Sequence, residues 1–210
     1  MMLFSWEKRV LFVHIQKTGG SCIEEILHQN VAGLQKIFGM HDHARWGRQR
    51  MPANVWDDVF KFAFVRNPWD RLVSWYSMIE QRAASKPRHQ LNKLLQYASA
   101  TAPTFSDYIE LCTATITDND GVKSFMFNQL DYVADENGNL IVDYVGRYER
   151  FSQDLKIVLD RLGIKDCAIP HVNQSKHTHY SRYYTERTRQ IVADRYARDI
   201  EYFGYRFESD

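Results

Sequence analysis

Short apolar runs alternate with amphipathic segments along this chain. Residues 9–15 (RVLFVHI) are apolar, β-branched and aromatic, which predicts a buried strand. Gly19-Gly20 interrupts the run, and residues 21–29 predict a helix whose Ser21 and Glu24 stand at capping-box spacing. The same order then returns. Residues 60–65 (FKFAFV) predict a second strand, and Asn67, Pro68 and Asp70 supply a cap, a first-position proline and a first-turn acid for a second helix. On that helix Trp69, Leu72, Val73 and Tyr76 share an apolar face, while Asp70 or Arg71, Ser74 and Ser77 share a polar stripe.

Further along, the pattern is patchier. Residues 82–103 carry little periodicity beyond a short helix near 91–97 and read as a surface loop or lid. Residues 104–112 predict a helix capped by Thr104 or Ser106. Residues 135–139 (DENGN) predict a turn between strand-like runs 130–134 and 140–145. Phe151, Leu155, Val158, Leu159 and Leu162 define a helix face that stops at Gly163. Residues 170–184 form a His- and Tyr-rich loop, and Val192, Tyr196, Ile200 and Phe203 mark a last amphipathic helix. Repeated strand–helix alternation predicts an α/β fold, a central parallel sheet flanked by helices, in one domain spanning residues 1–210.

Composition narrows the partners. Hydrophobic residues are 44% and charged residues 25% of 210, enough for a sizeable core. A net charge of +1 gives no global field for nucleic acid or a membrane surface, so any anionic ligand must be held locally. Cys22, Cys112 and Cys167 are widely spaced, which argues against a disulfide framework or a zinc site and for a reducing compartment. No window approaches a membrane span, so a cytoplasmic location is expected if residue 1 is the start. Oligomeric state leaves no pattern here.

The glycine turn is where chemistry concentrates. N–H groups at a helix start lack intrahelical partners and carry partial positive charge. Thr18, Gly19, Gly20, Ser21 and Cys22 therefore make a candidate phosphate or sulfate cradle, with Lys17 adding a full charge at its mouth. The order is not that of a Walker A loop, because Lys17 precedes both glycines. Read alone, the segment is equally a tight turn beside a surface lysine. Arg66 closes the second strand at its carboxyl end, where ligands of open α/β sheets bind, and Ser74 follows on the next helix. A guanidinium and a hydroxyl suit a second phosphate, although in isolation Arg66 could simply pair with Asp70.

Taken together, HIQKTGGSCIE and FVRNPWDRLVSWY resemble the two donor-binding signatures of the sulfotransferases that use 3′-phosphoadenosine-5′-phosphosulfate (PAPS). HIQKTGGSCIE is similar to that family's 5′-phosphosulfate loop, with Gln16 where Pro is usual. FVRNPWDRLVSWY is similar to its 3′-phosphate motif, Arg66 and Ser74 standing at the Arg and Ser positions. VDYVGRYERF and the C-terminal YYTERTRQIVADRYARDIEYFGY add diffuse likeness, nearest the carbohydrate-directed branch.

The resemblance implies direct, in-line sulfuryl transfer from PAPS to a hydroxyl, with carbohydrate favoured among small-molecule or glycan acceptors. Adenosine 3′,5′-bisphosphate would be the product, and no metal is expected. Lys17 would stabilise the departing phosphate, Thr18 to Cys22 would hold the 5′-phosphate, and Arg66 with Ser74 the 3′-phosphate. In the late loop, Ser175 and Lys176 would complete the nucleotide site. Histidine suits a general base near neutral pH, and in related uronyl 2-O-sulfotransferases an H-x-H pair carries that role. His41-Asp42-His43 lies between the donor motifs, with His43 the first candidate and His41 the second. A solvated loop pair and a metal site are the competing readings of this triplet. Arg45, Arg48 and Arg50 follow, as a solvated face or a receiver for an acidic sugar. Two other functions compete: a P-loop nucleotide kinase, against which the loop order counts, and a non-catalytic nucleotide-binding scaffold.

Overall fold

The chain opens with a hairpin that the apolar pattern did not announce. Strand β1 (Met2–Ser5) turns through Trp6 to Arg9 into β2 (Val10–Val13), and a connection this short permits only antiparallel pairing. The computed structural model describes residues 2–39, 41–115, 124–165, 167–169 and 178–210. In chain order there follow α1 (Gly20–Asn30), β3 (Gln35–Ile37), α2 (Ala44–Arg50), α3 (Ala53–Asp58), β4 (Phe60–Val65), α4 (Pro68–Ser85) and α5 (Lys93–Thr101). Strand β5 (Tyr144–Arg147) and helices α6 (Phe151–Arg161), α7 (Glu186–Arg195) and α8 (Ala197–Phe203) complete the order.

Two compact units arise from interleaved segments: Met1–Arg66 with Gln129–Gln174, and Asn67–Asn128 with Ser175–Asp210. The first unit holds the whole sheet, ordered β3-β1-β2-β4-β5. Strand β4 runs parallel to β2 and β5, as expected, whereas β1 runs antiparallel to both β2 and β3. The fold is therefore α/β with a mixed sheet, not a wholly parallel one. Phe12, Phe62 and Phe64 form a ladder across β2 and β4, with Phe12 and Phe62 centroids 5.0 Å apart. Ile23, Ile26 and Leu27 of α1 and Leu155, Val158 and Leu159 of α6 belong to the same buried cluster. At the edge, β3 exposes Gln35 and Lys36, the usual way to blunt a sheet margin.

The second unit is helical and aromatic. Helix α4 begins as the sequence predicts: Asn67 accepts a hydrogen bond from the Trp69 N–H, and Pro68 takes the first position. Only part of its polar stripe reaches solvent, Asp70 and Ser77 being half-buried. Arg71 is 2% exposed and donates to the Phe127 carbonyl, and Ser74 is buried as well. Trp69, Trp75, Tyr76, Tyr108, Phe125 and Tyr196 form the surrounding core.

Three local expectations need correction. Residues 130–133 form a helical turn, not a strand, because a four-residue apolar run does not fix its own period, and only a single bridge joins Ala134 to Leu140. The last helix is two, broken at Tyr196, whose φ −112° and ψ 25° are not helical. Ser21 does not cap α1; the helix starts a residue earlier, with Gly19 as its cap, so Ser21 stands inside the first turn. Among the described residues no helix is long and apolar enough to cross a membrane.

Candidate active site

The segment joining β2 to α1 is shaped by its backbone. Lys17 has φ +69° and Gly19 φ +86°, both in the left-handed region, so the chain reverses within three residues. The Thr18 hydroxyl donates to the Ile15 carbonyl at 3.0 Å and closes the turn, which leaves Thr18 its N–H to offer a ligand. Both glycines are required by their neighbours. A Cβ on Gly19 would lie 2.6 Å from the Phe151 ring, and one on Gly20 would lie 2.1 Å from the His14 ring. No side chain caps α1, so its first turn is left to the backbone.

His14 lies in the wall of this turn. It stacks on Phe12 and meets the His41 ring edge-on at 4.7 Å. Its Nδ1 is buried with no hydrogen-bond partner. Burial, opposed by the Glu24 carboxylate, lowers its pKa to about 4, so the ring is neutral at physiological pH. The His14 carbonyl accepts from His41 Nδ1 at 2.9 Å. A carbonyl only accepts, so His41 carries its proton on Nδ1 and its lone pair on Nε2. His43 is buried between the Trp46 and Tyr132 rings, with centroids at 5.1 and 4.4 Å. Asp42, between the two histidines, takes the Gly39 N–H at 2.7 Å and so shapes the loop. Arg45 lies over Trp46, Arg50 over Phe38 and Trp46, and Arg48 is exposed.

Arg66 is drawn to the same turn. Its Nη1 donates to the Lys17 carbonyl at 3.3 Å, and its guanidinium lies over Tyr148, 4.0 Å from the ring centroid. Sequence reading did not single out Gln129, whose carboxamide bonds both the N–H and the C=O of Arg66 at 2.8 Å. No periodicity marks Gln129; only tertiary contact reveals it. Lys17, Thr18, His14, His41 and Arg66 are thus gathered in the first unit, while Ser74 lies buried on α4 in the second. Ser175 and Lys176 lie outside the described residues.

A family model described as the sulfotransferase family matches residues 1–206. The chain belongs to the sulfotransferase family. Among solved structures, this sulfotransferase is similar to mouse sulfotransferase SULT7A1, crystallised in complex with PAP. Identity is 15% over 95% of this chain and 84% of the mouse chain, with a TM-score of 0.52, which is a likeness of fold. No curated protein matches the chain. Within the sulfotransferase, the hydrogen bond from Arg66 to the Lys17 carbonyl joins the two segments that carry the motifs.

Proposed function

We propose that this sulfotransferase moves a sulfuryl group from PAPS to the hydroxyl of a small-molecule or glycan acceptor, carbohydrate being favoured. The observation that carries the reading is the Arg66–Lys17 hydrogen bond, which ties a 3′-phosphate motif to a 5′-phosphosulfate loop. The acceptor oxygen forms a bond to sulfur as the bond from sulfur to the bridging phosphate oxygen breaks. Adenosine 3′,5′-bisphosphate leaves, and the acceptor proton passes to a histidine. The ammonium of Lys17 stabilises charge on the departing phosphate, and the loop from Thr18 to Cys22 binds the 5′-phosphate. Arg66 binds the 3′-phosphate with Ser74, the residue the motif pairs with it, and Ser175 and Lys176 complete the nucleotide site. Positioning and charge stabilisation suffice for such a displacement, so no metal is invoked.

His43 is the first candidate for the base. His41 is a further candidate with its own support, since its Nδ1 donor bond to the His14 carbonyl presents Nε2 as the basic nitrogen. Alanine at each position, assayed for turnover and donor affinity separately, assigns the role to whichever loses turnover and keeps donor affinity.

The reading as a whole is tested by thermal unfolding and transfer. Adenosine 3′,5′-bisphosphate is expected to raise the melting temperature without magnesium, whereas ATP with magnesium is not. Lys17→Ala is expected to cut transfer from radiolabelled PAPS by about 10²–10³-fold, the loss typical of removing one charge-stabilising donor. Stabilisation by magnesium ATP alone would point to a nucleotide kinase. Nucleotide binding with no transfer to any of a panel of sugars, lipids, peptides and alcohols would point to a scaffold.

A further inference from the structure

We infer that Gln129 is a positioning residue of the donor site, acting through Arg66. The inference rests on the donor reading above and adds to it a residue outside both motifs. Strand pairing accounts for why a side chain is needed here. The ladder from β4 to β2 ends at Ala63 and the ladder to β5 ends at Val65, so Arg66 stands beyond both. Arg66 is nonetheless 4% exposed, and buried backbone groups need partners. Gln129, 0% exposed, supplies both: its Oε1 accepts from the Arg66 N–H and its Nε2 donates to the Arg66 carbonyl, each at 2.8 Å. Glutamine suits this task because its carboxamide holds a donor and an acceptor side by side. Glutamate keeps the acceptor only, and methionine keeps neither.

Two bonds to one residue fix the peptide groups on either side of it, and with them the direction in which its side chain leaves the backbone. The Arg66 guanidinium then has a narrow target. It lies against the Tyr148 ring and donates to the carbonyl of Lys17. Lys17 in turn holds a left-handed backbone, which costs a non-glycine residue free energy and persists only where neighbours enforce it. A continuous path of hydrogen bonds thus runs from Gln129 through Arg66 to the residue assigned to the leaving phosphate. Slack at Gln129 would be felt first as lost recognition of the 3′-phosphate, and then as misplaced Lys17.

A purely structural role for Gln129 predicts something different: a lower melting temperature, with every ligand weakened alike. The measurement is therefore a ratio. Dissociation constants for adenosine 3′,5′-bisphosphate and adenosine 5′-monophosphate are measured on wild type, Gln129→Met and Gln129→Glu, well below each melting temperature. In wild type the 3′-phosphate is expected to strengthen binding. In Gln129→Met that advantage is expected to shrink by about tenfold, with affinity for the monophosphate within about twofold of wild type. Turnover is expected to fall with it, and Gln129→Glu to lie between. If Gln129→Met does not fold, Gln129→Glu carries the same comparison. Equal weakening of both nucleotides, or an unchanged ratio with unchanged turnover, overturns the inference and leaves the donor reading standing. A wild type that does not distinguish the two nucleotides overturns both.

Discussion

Two strand-to-helix turns of this protein are built in opposite ways. Residues 14–19 join β2 to α1, and Arg66 and Asn67 join β4 to α4. The first turn starts its helix from the backbone: two left-handed residues, one of them the glycine cap, and no side-chain cap, with the Thr18 hydroxyl closing the turn on the Ile15 carbonyl. The second is made by side chains: Asn67 takes the Trp69 N–H, and Pro68 presets the first helical position. A helix start left to its backbone keeps its dipole and N–H groups for an anion. A helix start closed by asparagine has spent part of that capacity, and what the second turn offers a ligand is the guanidinium of Arg66. On the proposed function, one turn recognises charge through amides, the other through a side chain.

The largest expected effect breaks the first turn. Gly19→Ala combines a left-handed φ of +86° with a Cβ 2.6 Å from the Phe151 ring. The combined cost is about 2–4 kcal/mol of folding stability, from strained backbone and overpacking together. Denaturant titration reads the loss, and a Phe151→Leu partner is expected to restore only the overpacking share. If Gly19→Ala unfolds at the wild-type denaturant concentration, the turn is not built by its backbone as described.

A smaller effect separates the two turns by pH. Continuing the parallel register of β2 and β4 by one pair sets His14 opposite Phe64. Burial lowers the His14 pKa from 6.5 to about 4. Between those values the unfolded chain binds the proton and the folded chain does not, so stability is full above pH 6.5 and declines as pH falls towards 4. From this residue the loss between pH 7 and pH 5 is about 2 kcal/mol. His14→Phe, which sets a ring that does not titrate opposite Phe64, is expected to flatten the stability profile across that window. A profile in the variant as steep as in wild type would assign the pH dependence elsewhere.

The same contrast accounts for what was legible in the sequence. The second turn announces itself because asparagine, proline and aspartate act locally, and local signals survive in a linear string. The first was legible as a glycine turn, yet its cap was misplaced by two residues, since Ser21 offered a local cap and tertiary packing chose Gly19. The Arg66–Lys17 bond spans 49 residues and the Gln129–Arg66 pair spans 63, and nothing periodic encodes either. The hairpin β1–β2 and the turn at residues 130–133 leave no clear signal because four residues repeat a helical period barely once and a strand period only twice. The helices over 68–85 and 151–161 came out where their apolar faces put them, whereas the last one is broken at Tyr196.

The smallest effect tests the second turn. Asn67→Ala removes the acceptor for the Trp69 N–H and the amide that donates to the Arg206 carbonyl at 2.9 Å. Loss of the cap costs about 1 kcal/mol. Asn67→Asp keeps the cap acceptor and drops the donor, so it is expected to recover most of that loss, helped by a negative charge at the helix start. Calorimetric melting of the three proteins measures the order wild type, Asp, Ala. If Asn67 serves only to end the strand and begin the helix, adenosine 3′,5′-bisphosphate binds all three within about twofold, below the effect of one hydrogen bond to a charged group. An Asn67→Ala protein that melts normally but binds the nucleotide tenfold more weakly would reverse the division drawn between the turns, because the side-chain-built turn would then recognise the ligand through its cap as well as through Arg66.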